Sequence, residues 1–480
     1  MEMNLAPEVI AQTLEATLKR LRAASRTQPH PDLQQRLDWL SRLEKITVQH
    51  GAEVNQAISK DFGHRSAHET ELADLSLIVS SIKHTRRHLA GWMKPRRAAT
   101  ALQYLPAKNR LLSQPLGVVG IISPWNYPHQ LALGPAIAAF AAGNRVMLKP
   151  SELTPHYSAL LAKLVADYFS EDEMVVVTGG ADVAKAFSEL RFDHLVFTGS
   201  TAVGRHVAVA AAKNLTPVTL ELGGKSPAIV DASANIKTAA ASLAFGKLLN
   251  AGQTCVAPDY VLVPADKRDE LVAALVAATG KMYPVLEENP DYTAIINDHH
   301  YQRLQGLLND AVEQGAQLLP LTSTAQSAGM TAARKQAPVL VLNATPDMRI
   351  MQEEIFGPLL PIVTYQGNVK EAIEFINNRE RPLALYWYGT DNDNRDLVLQ
   401  QTVSGGVTIN DCLWHLSQES QPFGGVGASG MGAYHGEWGF RALSKEKPVF
   451  YQSSLNGMHL LYPPYGKTFA RMLKLLKLIG

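Results

Sequence analysis

Gly117-Val-Val-Gly-Ile-Ile122, Leu131 to Ala142 and Arg145-Val-Met-Leu148 follow one another as a β-rich run, an Ala-rich helical run and a second β-rich run. Short apolar runs bounded by turn residues read as strands covered on both faces, and a helix between two of them makes the connection parallel. The alternation continues through Met174-Val-Val-Val-Thr178, Asp193-His-Leu-Val-Phe197 and Val218-Thr-Leu-Glu221. A second series runs through Pro227-Ala-Ile-Val230, a helix from Ile236 to Leu249, Tyr260-Val-Leu-Val263, a helix near Arg268 to Ala278, and Gly406-Val-Thr-Ile409. This pattern predicts an α/β protein with two doubly wound parallel-sheet domains that meet near Glu221 and Gly223. Ligands are expected in the cleft between them.

Upstream, residues 8 to about 57 have helical periodicity broken at Pro29-His-Pro31. Asp61-Phe-Gly-His-Arg-Ser66 is turn-like, a helix is expected from Glu69 to Trp92, and Trp92-Met-Lys-Pro-Arg-Arg97 ends it at a proline and starts an extended basic connection. With 480 residues, 46% of them hydrophobic, the chain exceeds one ordinary domain. A net charge of +1 gives no electrostatic case for nucleic acid. Two cysteines make no disulfide framework, and no apolar run reaches the roughly 20 residues that span a bilayer. The Met-Glu-Met-Asn start is not an export signal, so a reducing cytoplasm is expected.

Asn250-Ala-Gly-Gln-Thr-Cys-Val-Ala-Pro258 places Cys255 in a polar turn that can expose a thiol and offer backbone N–H groups to an anion, although a lone cysteine reads equally as buried packing. Glu221 closes a strand before Gly223-Gly224 and reads as a water-activating base or a strand-end ion-pair partner. Ser123-Pro-Trp-Asn-Tyr-Pro128 offers the Asn126 amide as an oxyanion donor, or simply a turn former. Lys149-Pro-Ser-Glu152 follows a strand and reads as a ribose site or as a turn with Ser151 as N-cap. Phe197-Thr-Gly-Ser-Thr-Ala-Val-Gly204 opens a helix whose N-terminus can face a phosphate, but with Arg205 and His206 following it is no ATP-binding loop.

Glu221-Leu-Gly-Gly-Lys-Ser-Pro227 and Gly252-Gln-Thr-Cys255 resemble the two signature segments of the aldehyde dehydrogenase superfamily, in the same order. The resemblance spans residues from about 40 to 450. It implies a Rossmann-like cofactor domain (1–85 and 105–221), a catalytic domain (222–410), bridging and oligomerisation segments (86–104 and 411–455) and a C-terminal tail (456–480). It assigns Cys255 as nucleophile, Glu221 as base and Asn126 to the oxyanion hole, with Trp125 lining the cofactor cleft. NAD is the implied cofactor, with NADP as the alternative; Lys149 and Glu152 go to the adenosine ribose and Gly199, Ser200 and Gly204 near phosphate. Glu353-Glu-Ile-Phe-Gly-Pro358 assigns Glu354 to the nicotinamide ribose and Phe356 beside the ring. The implied reaction joins a thiol to an aldehyde, releases hydride and hydrolyses the resulting thioester to a carboxylic acid.

Gln421-Pro-Phe-Gly-Gly-Val-Gly-Ala-Ser-Gly-Met-Gly-Ala-Tyr-His-Gly436 and Cys255-Val-Ala-Pro-Asp-Tyr260 resemble the class-3 branch, which implies a homodimer acting on aromatic or long aliphatic aldehydes. Asp61 to Ser66, Trp92 to Arg97 and Leu461-Tyr-Pro-Pro-Tyr-Gly466 resemble bacterial members that oxidise coniferyl aldehyde. Medium- or long-chain fatty aldehydes, and a catalytically silent binding protein, are the alternatives. Tyr127, Trp414 and Phe423 read as pocket walls or core, Cys412 as inert packing, and Asp298-His-His300 as no metal site. The tail Lys467 to Ile479 reads as a basic amphipathic helix too short to span a membrane, expected to dock on the dimer rather than on a lipid surface.

Overall fold

The structure, a computed structural model, describes residues 7–322 and 326–479; the Met-Glu-Met-Asn start read above lies outside them. One six-stranded sheet runs in the order Gly430–Met431, Val218–Glu221, His194–Thr198, Val118–Ile122, Arg145–Lys149, Met174–Val176, with every pairing parallel except that of the first strand. Its inner strands are buried along their length, apart from Val218 at the start of one, because helices cover both faces. On one side lie Leu14, Leu18 and Leu21 of the helix Pro7–Thr27; on the other, Trp39, Ile82 and Phe140 belong to a separate core.

A seven-stranded sheet follows the order Gln317–Pro320, Val339–Leu342, Leu359–Tyr365, Tyr260–Pro264, Pro227–Val230, Ala384–Tyr388, Gly406–Ile409, antiparallel only at its first pair. Period-two alternation sends Ala228, Val230, Val261 and Val263 to one core and Ile229, Tyr260 and Leu262 to the other. The strands expected at 117–122, 145–148, 174–178, 193–197, 218–221, 227–230, 260–263 and 406–409 form as Val118–Ile122, Arg145–Lys149, Met174–Val176, His194–Thr198, Val218–Glu221, Pro227–Val230, Tyr260–Pro264 and Gly406–Ile409.

A third sheet joins Arg96–Ala98, Lys108–Pro115 and Ser444–Tyr451, all antiparallel. The strand at 108–115, grouped with the cofactor domain in the sequence-based division, therefore pairs with the bridging segments. Leu89 and Trp92, grouped with the bridge, end a helix packed in the first domain's core. The reason is geometric: a long strand crossing between domains has no alternation that says which sheet it joins.

Candidate active site

The carboxyl ends of the first sheet's strands deliver Ile122, Lys149, Thr198 and Glu221 to one edge. In doubly wound sheets this edge is where ligands bind. The chain passes from Glu221 straight into the second sheet at Pro227, so the cleft lies at the domain junction. A cavity of about 550 Å³ occupies it. Cys255, Glu221, Asn126, Trp125, Gly199, Ser200, Glu354 and Phe356 all line this cavity.

Three expected cofactor residues do not. Lys149 is buried, donating to Pro150 O at 3.0 Å and pairing with exposed Glu152 at 3.2 Å. Gly204 lies within the helix Thr201–Lys213, where a Cβ would meet Leu222 Cδ2 at 2.5 Å, so its small size lets helix and strand approach. Ser151 is not the next helix's N-cap; that position is Thr154.

The cysteine turn is unusually constrained. Asn250 and Ala251 both have left-handed backbones, φ 53° and 52°, a conformation that persists only when surroundings over-determine it. Asn250 N donates to Glu69 Oε1 at 3.1 Å, and Asn250 Nδ2 donates to Asn126 O at 3.0 Å. Gln253 Nε2 donates to Ala294 O at 3.0 Å, and Ile296 N donates back to Gln253 Oε1 at 3.0 Å. Tyr127 and Thr254 share a hydroxyl contact at 2.6 Å. Asn126 Nδ2 donates to Gln253 O at 3.1 Å, which uses one of its two amide hydrogens.

Sequence reasoning missed the polar group that holds these segments. Arg65, fully buried, donates to Asn126 O at 2.7 Å and pairs with Asp74 at 2.9 Å, while Asp74 Oδ1 accepts from His129 N and Gln130 N at 3.0 Å each. Arg65 comes from the turn-like stretch Asp61–Ser66 and Asp74 from the helical stretch after it, neither of which was expected to carry a site residue. On the opposite wall, Arg303 donates to Glu354 O at 3.1 Å, and Lys225 donates to Ile350 O at 2.8 Å and Glu353 O at 3.0 Å. His300, considered only as a metal ligand, has its ring 5.1 Å from that of Trp125 and tilted 49° to it, and Trp125 meets Phe356 edge-on at 5.4 Å. Among the described residues no cluster of three or more metal-ligating side chains occurs.

Charge is scarce inside this cleft. Burial, then the Glu354 and Glu221 carboxyls, pushes the Cys255 thiol up to about 12, while the Cys255 and Val256 N–H groups pull the other way. Burial alone lifts Glu221 well above the usual carboxylate range, and neither of its oxygens has a partner. Burial, then Asp259, raises Glu354 to about 8, and its Oε1 is likewise unpartnered. At Gly223 a Cβ would overlap the Glu354 carboxylate. A glycine cradle, two unsatisfied carboxyls and a helix N-terminus beside Gly199 and Ser200 fit a ligand bearing hydroxyls and phosphate, as a dinucleotide does.

The Cys255 thiol, the Glu221 carboxyl and the Asn126 amide thus meet around one cavity between two doubly wound sheets. The aldehyde dehydrogenase family profile matches residues 4–449, and the chain belongs to that family. Its reaction is the NAD(P)-dependent oxidation of an aldehyde. The chain is 51% identical over 459 residues to a probable coniferyl aldehyde dehydrogenase of Pseudomonas aeruginosa, covering 96% of this chain and 95% of the relative. It is 47% identical over 475 residues to a coniferyl aldehyde dehydrogenase of Pseudomonas sp. strain HR199, covering 99% and 98% respectively. A solved structure described as the substrate-bound state of Staphylococcus aureus AldH superposes with a TM-score of 0.90 at 39% identity, over 99% of this chain and all of that one.

Proposed function

We propose that the substrate is an aromatic aldehyde of the coniferyl type, oxidised to its carboxylic acid. The observation that carries this reading is the cavity itself: Cys255 and Glu221 share it with Tyr127, Phe245, Trp414 and Phe423, an aromatic and apolar wall suited to a flat ring. Similarity at about half identity to coniferyl aldehyde enzymes supports the same substrate.

In the proposed mechanism Cys255 Sγ bonds to the aldehyde carbon. We assign the negative oxygen to the second hydrogen of Asn126 Nδ2 and the Cys255 N–H. Bound NAD(P) supplies the hydride acceptor. Glu221 then takes a proton from the water that attacks the thioester, and Cys255 leaves as thiolate. Cys255 gives up its thiol proton to solvent before it attacks, and Glu221 serves the hydrolytic step as the carboxylate, the form that can accept a proton. Glu354 and Phe356 are assigned to the nicotinamide side, Trp125, Gly199 and Ser200 to the rest of the cofactor cleft, and Lys149, Glu152 and Gly204 to shaping it from behind.

The two sheets are proposed as the cofactor-binding and catalytic domains, and the three-stranded sheet as the arm of a homodimer in the cytoplasm. Phe469, Met472 and Leu476 of the helix Lys467–Ile479 are partly covered by their own chain, whereas Lys467, Arg471, Lys474 and Lys477 are exposed. That is consistent with a tail docked on protein; among the described residues no helix is long and apolar enough to cross a membrane. The substrate reading is tested by comparing kcat/KM for coniferyl aldehyde and decanal through NADH formation. A higher value for coniferyl aldehyde is expected, and a clear preference for decanal overturns it.

A further inference from the structure

Arg65 and Asp74 form an ion pair whose side chains are both 0% exposed. Such a pair is a poor source of stability, because desolvating two charges offsets most of their attraction and apolar side chains of similar size hold a core as well. This one also leaves Arg65 Nε buried with no hydrogen-bond partner among the described residues. What the pair does supply is direction. Arg65 Nη1 donates to Asn126 O at 2.7 Å while Nη2 holds Asp74 Oδ2 at 2.9 Å, so one planar fork spans the two. The guanidinium also lies over the ring of Tyr127, 4.9 Å from its centroid. Asp74 grips the other side. The helix Pro128–Ala142 begins without a side-chain cap of its own, Pro128 has no N–H, and the next two donors, His129 N and Gln130 N, both end on Asp74 Oδ1 at 3.0 Å.

We propose that the Arg65–Asp74 pair is a clamp that aims the Asn126 side-chain amide at the developing oxyanion, which makes Arg65 a positioning residue for the oxidation. This rests on the assignment of Asn126 as oxyanion donor. An amide group is planar, so the direction of its second N–H follows once the first is committed and the backbone is fixed. The first is committed to Gln253 O, in the cysteine turn, at 3.1 Å. The backbone is fixed at Asn126 O by Arg65, with Asn250 Nδ2 as the second donor at 3.0 Å. Nucleophile and oxyanion donor thereby share one frame, and a shift of the clamp turns the free N–H away from the place where negative charge develops. Donors of this kind act by being preset, and a displacement of about 1 Å costs about 100-fold in rate.

The test is a double-mutant cycle of Arg65→Lys and Asn126→Ala, read as the single-turnover rate of NADH formation with saturating NAD and benzaldehyde. A lysine keeps the charge but not the fork, so Arg65→Lys is expected to slow that rate about 100-fold while the dissociation constant for NAD stays within about twofold. In the Asn126→Ala background, itself slower by about 100-fold or more, the same change is expected to cost at most about threefold, because no amide is left to aim. Arg65→Met/Asp74→Asn removes both buried charges and keeps an oxygen for His129 N and Gln130 N. It is expected to unfold at or above the wild-type temperature and yet to be as slow as Arg65→Lys. A near-wild-type rate for either variant, a double replacement that is slow only because it unfolds, or an Arg65→Lys loss undiminished without the amide overturns the clamp. A near-wild-type rate for Asn126→Ala overturns the oxyanion assignment, and the clamp with it, so the two failures give different results.

Discussion

The wall that carries Cys255, the proposed nucleophile, and the more exposed side of the cavity are built by opposite means. Around Cys255, buried Arg65, Glu69, Asp74, Asn126, Asn250 and Gln253 bond to one another or to backbone groups of distant segments. On the more exposed side, Leu72 and Trp414 are half-open to solvent and meet their neighbours through apolar surface. A polar network fixes position because each unmade bond costs the full desolvation of a buried group, whereas apolar contacts tolerate rearrangement. The chemistry therefore sits on the part least able to move, and selectivity on the part most easily changed.

Predictions that bear on this contrast can be ranked by expected effect. Replacing Cys255 with Ala is expected to cut aldehyde oxidation by about 10⁴-fold or more, because the only thiol in the cavity is lost. Cofactor binding, followed by fluorescence titration, should persist; turnover near wild type would break the assignment. Glu221→Gln is expected to lower steady-state turnover by about 10²-fold or more while a stoichiometric NADH burst survives in stopped flow, since acylation does not need the hydrolytic base. Loss of the burst in equal measure would move Glu221 to an earlier step.

Asn250→Ala tests the rigidity of the nucleophile wall. It removes the donor to Asn126 O and the residue best suited to the left-handed backbone, and misplacement of about 1 Å costs about 100-fold. A fall of that order in kcat, with the accessible thiol count unchanged, is expected; a near-wild-type rate would show that the network holds shape without setting geometry. The smallest effect concerns pH. Because the thiol is pushed up to about 12 and Glu354 ionises near 8, alkylation of the cofactor-free enzyme by iodoacetamide should keep rising from pH 7 to 10 without a plateau. Above pH 8 the Glu354 carboxylate opposes thiolate formation, so Glu354→Gln should speed alkylation about threefold there and change little at pH 7. The same factor at both pH values would mean the effect is steric.

Legibility from sequence followed chain locality. Cys255, Glu221 and Asn126 each stand at the end of a strand or in a Gly- or Pro-marked turn, so local signals marked them, and five strands of the first sheet were read from apolar runs, but of the second sheet only Pro227–Val230, Tyr260–Pro264 and Gly406–Ile409 were. Arg65 and Asp74 gave no such signal, since Arg65 reaches Asn126 across 61 residues and Glu69 reaches Asn250 across 181. A buried charge in a helical region looks like any surface charge until the fold encloses it. Gly204 misled for the converse reason: a glycine near a phosphate-type turn marks close packing as readily as ligand approach.

The Asn126 carbonyl accepts both from Arg65 and from Asn250, which ties three separate stretches of chain to one oxygen. Such a joint cannot open a strand of the network at a time. Residues 63–75, 126–130 and 250–254 should therefore behave as one cooperative unit in native-state hydrogen exchange, their slow amides sharing a single opening free energy although the chain carries them through two different sheets. The proposed nucleophile is in that sense guarded by a lock with one bolt, thrown from the loop between two N-terminal helices.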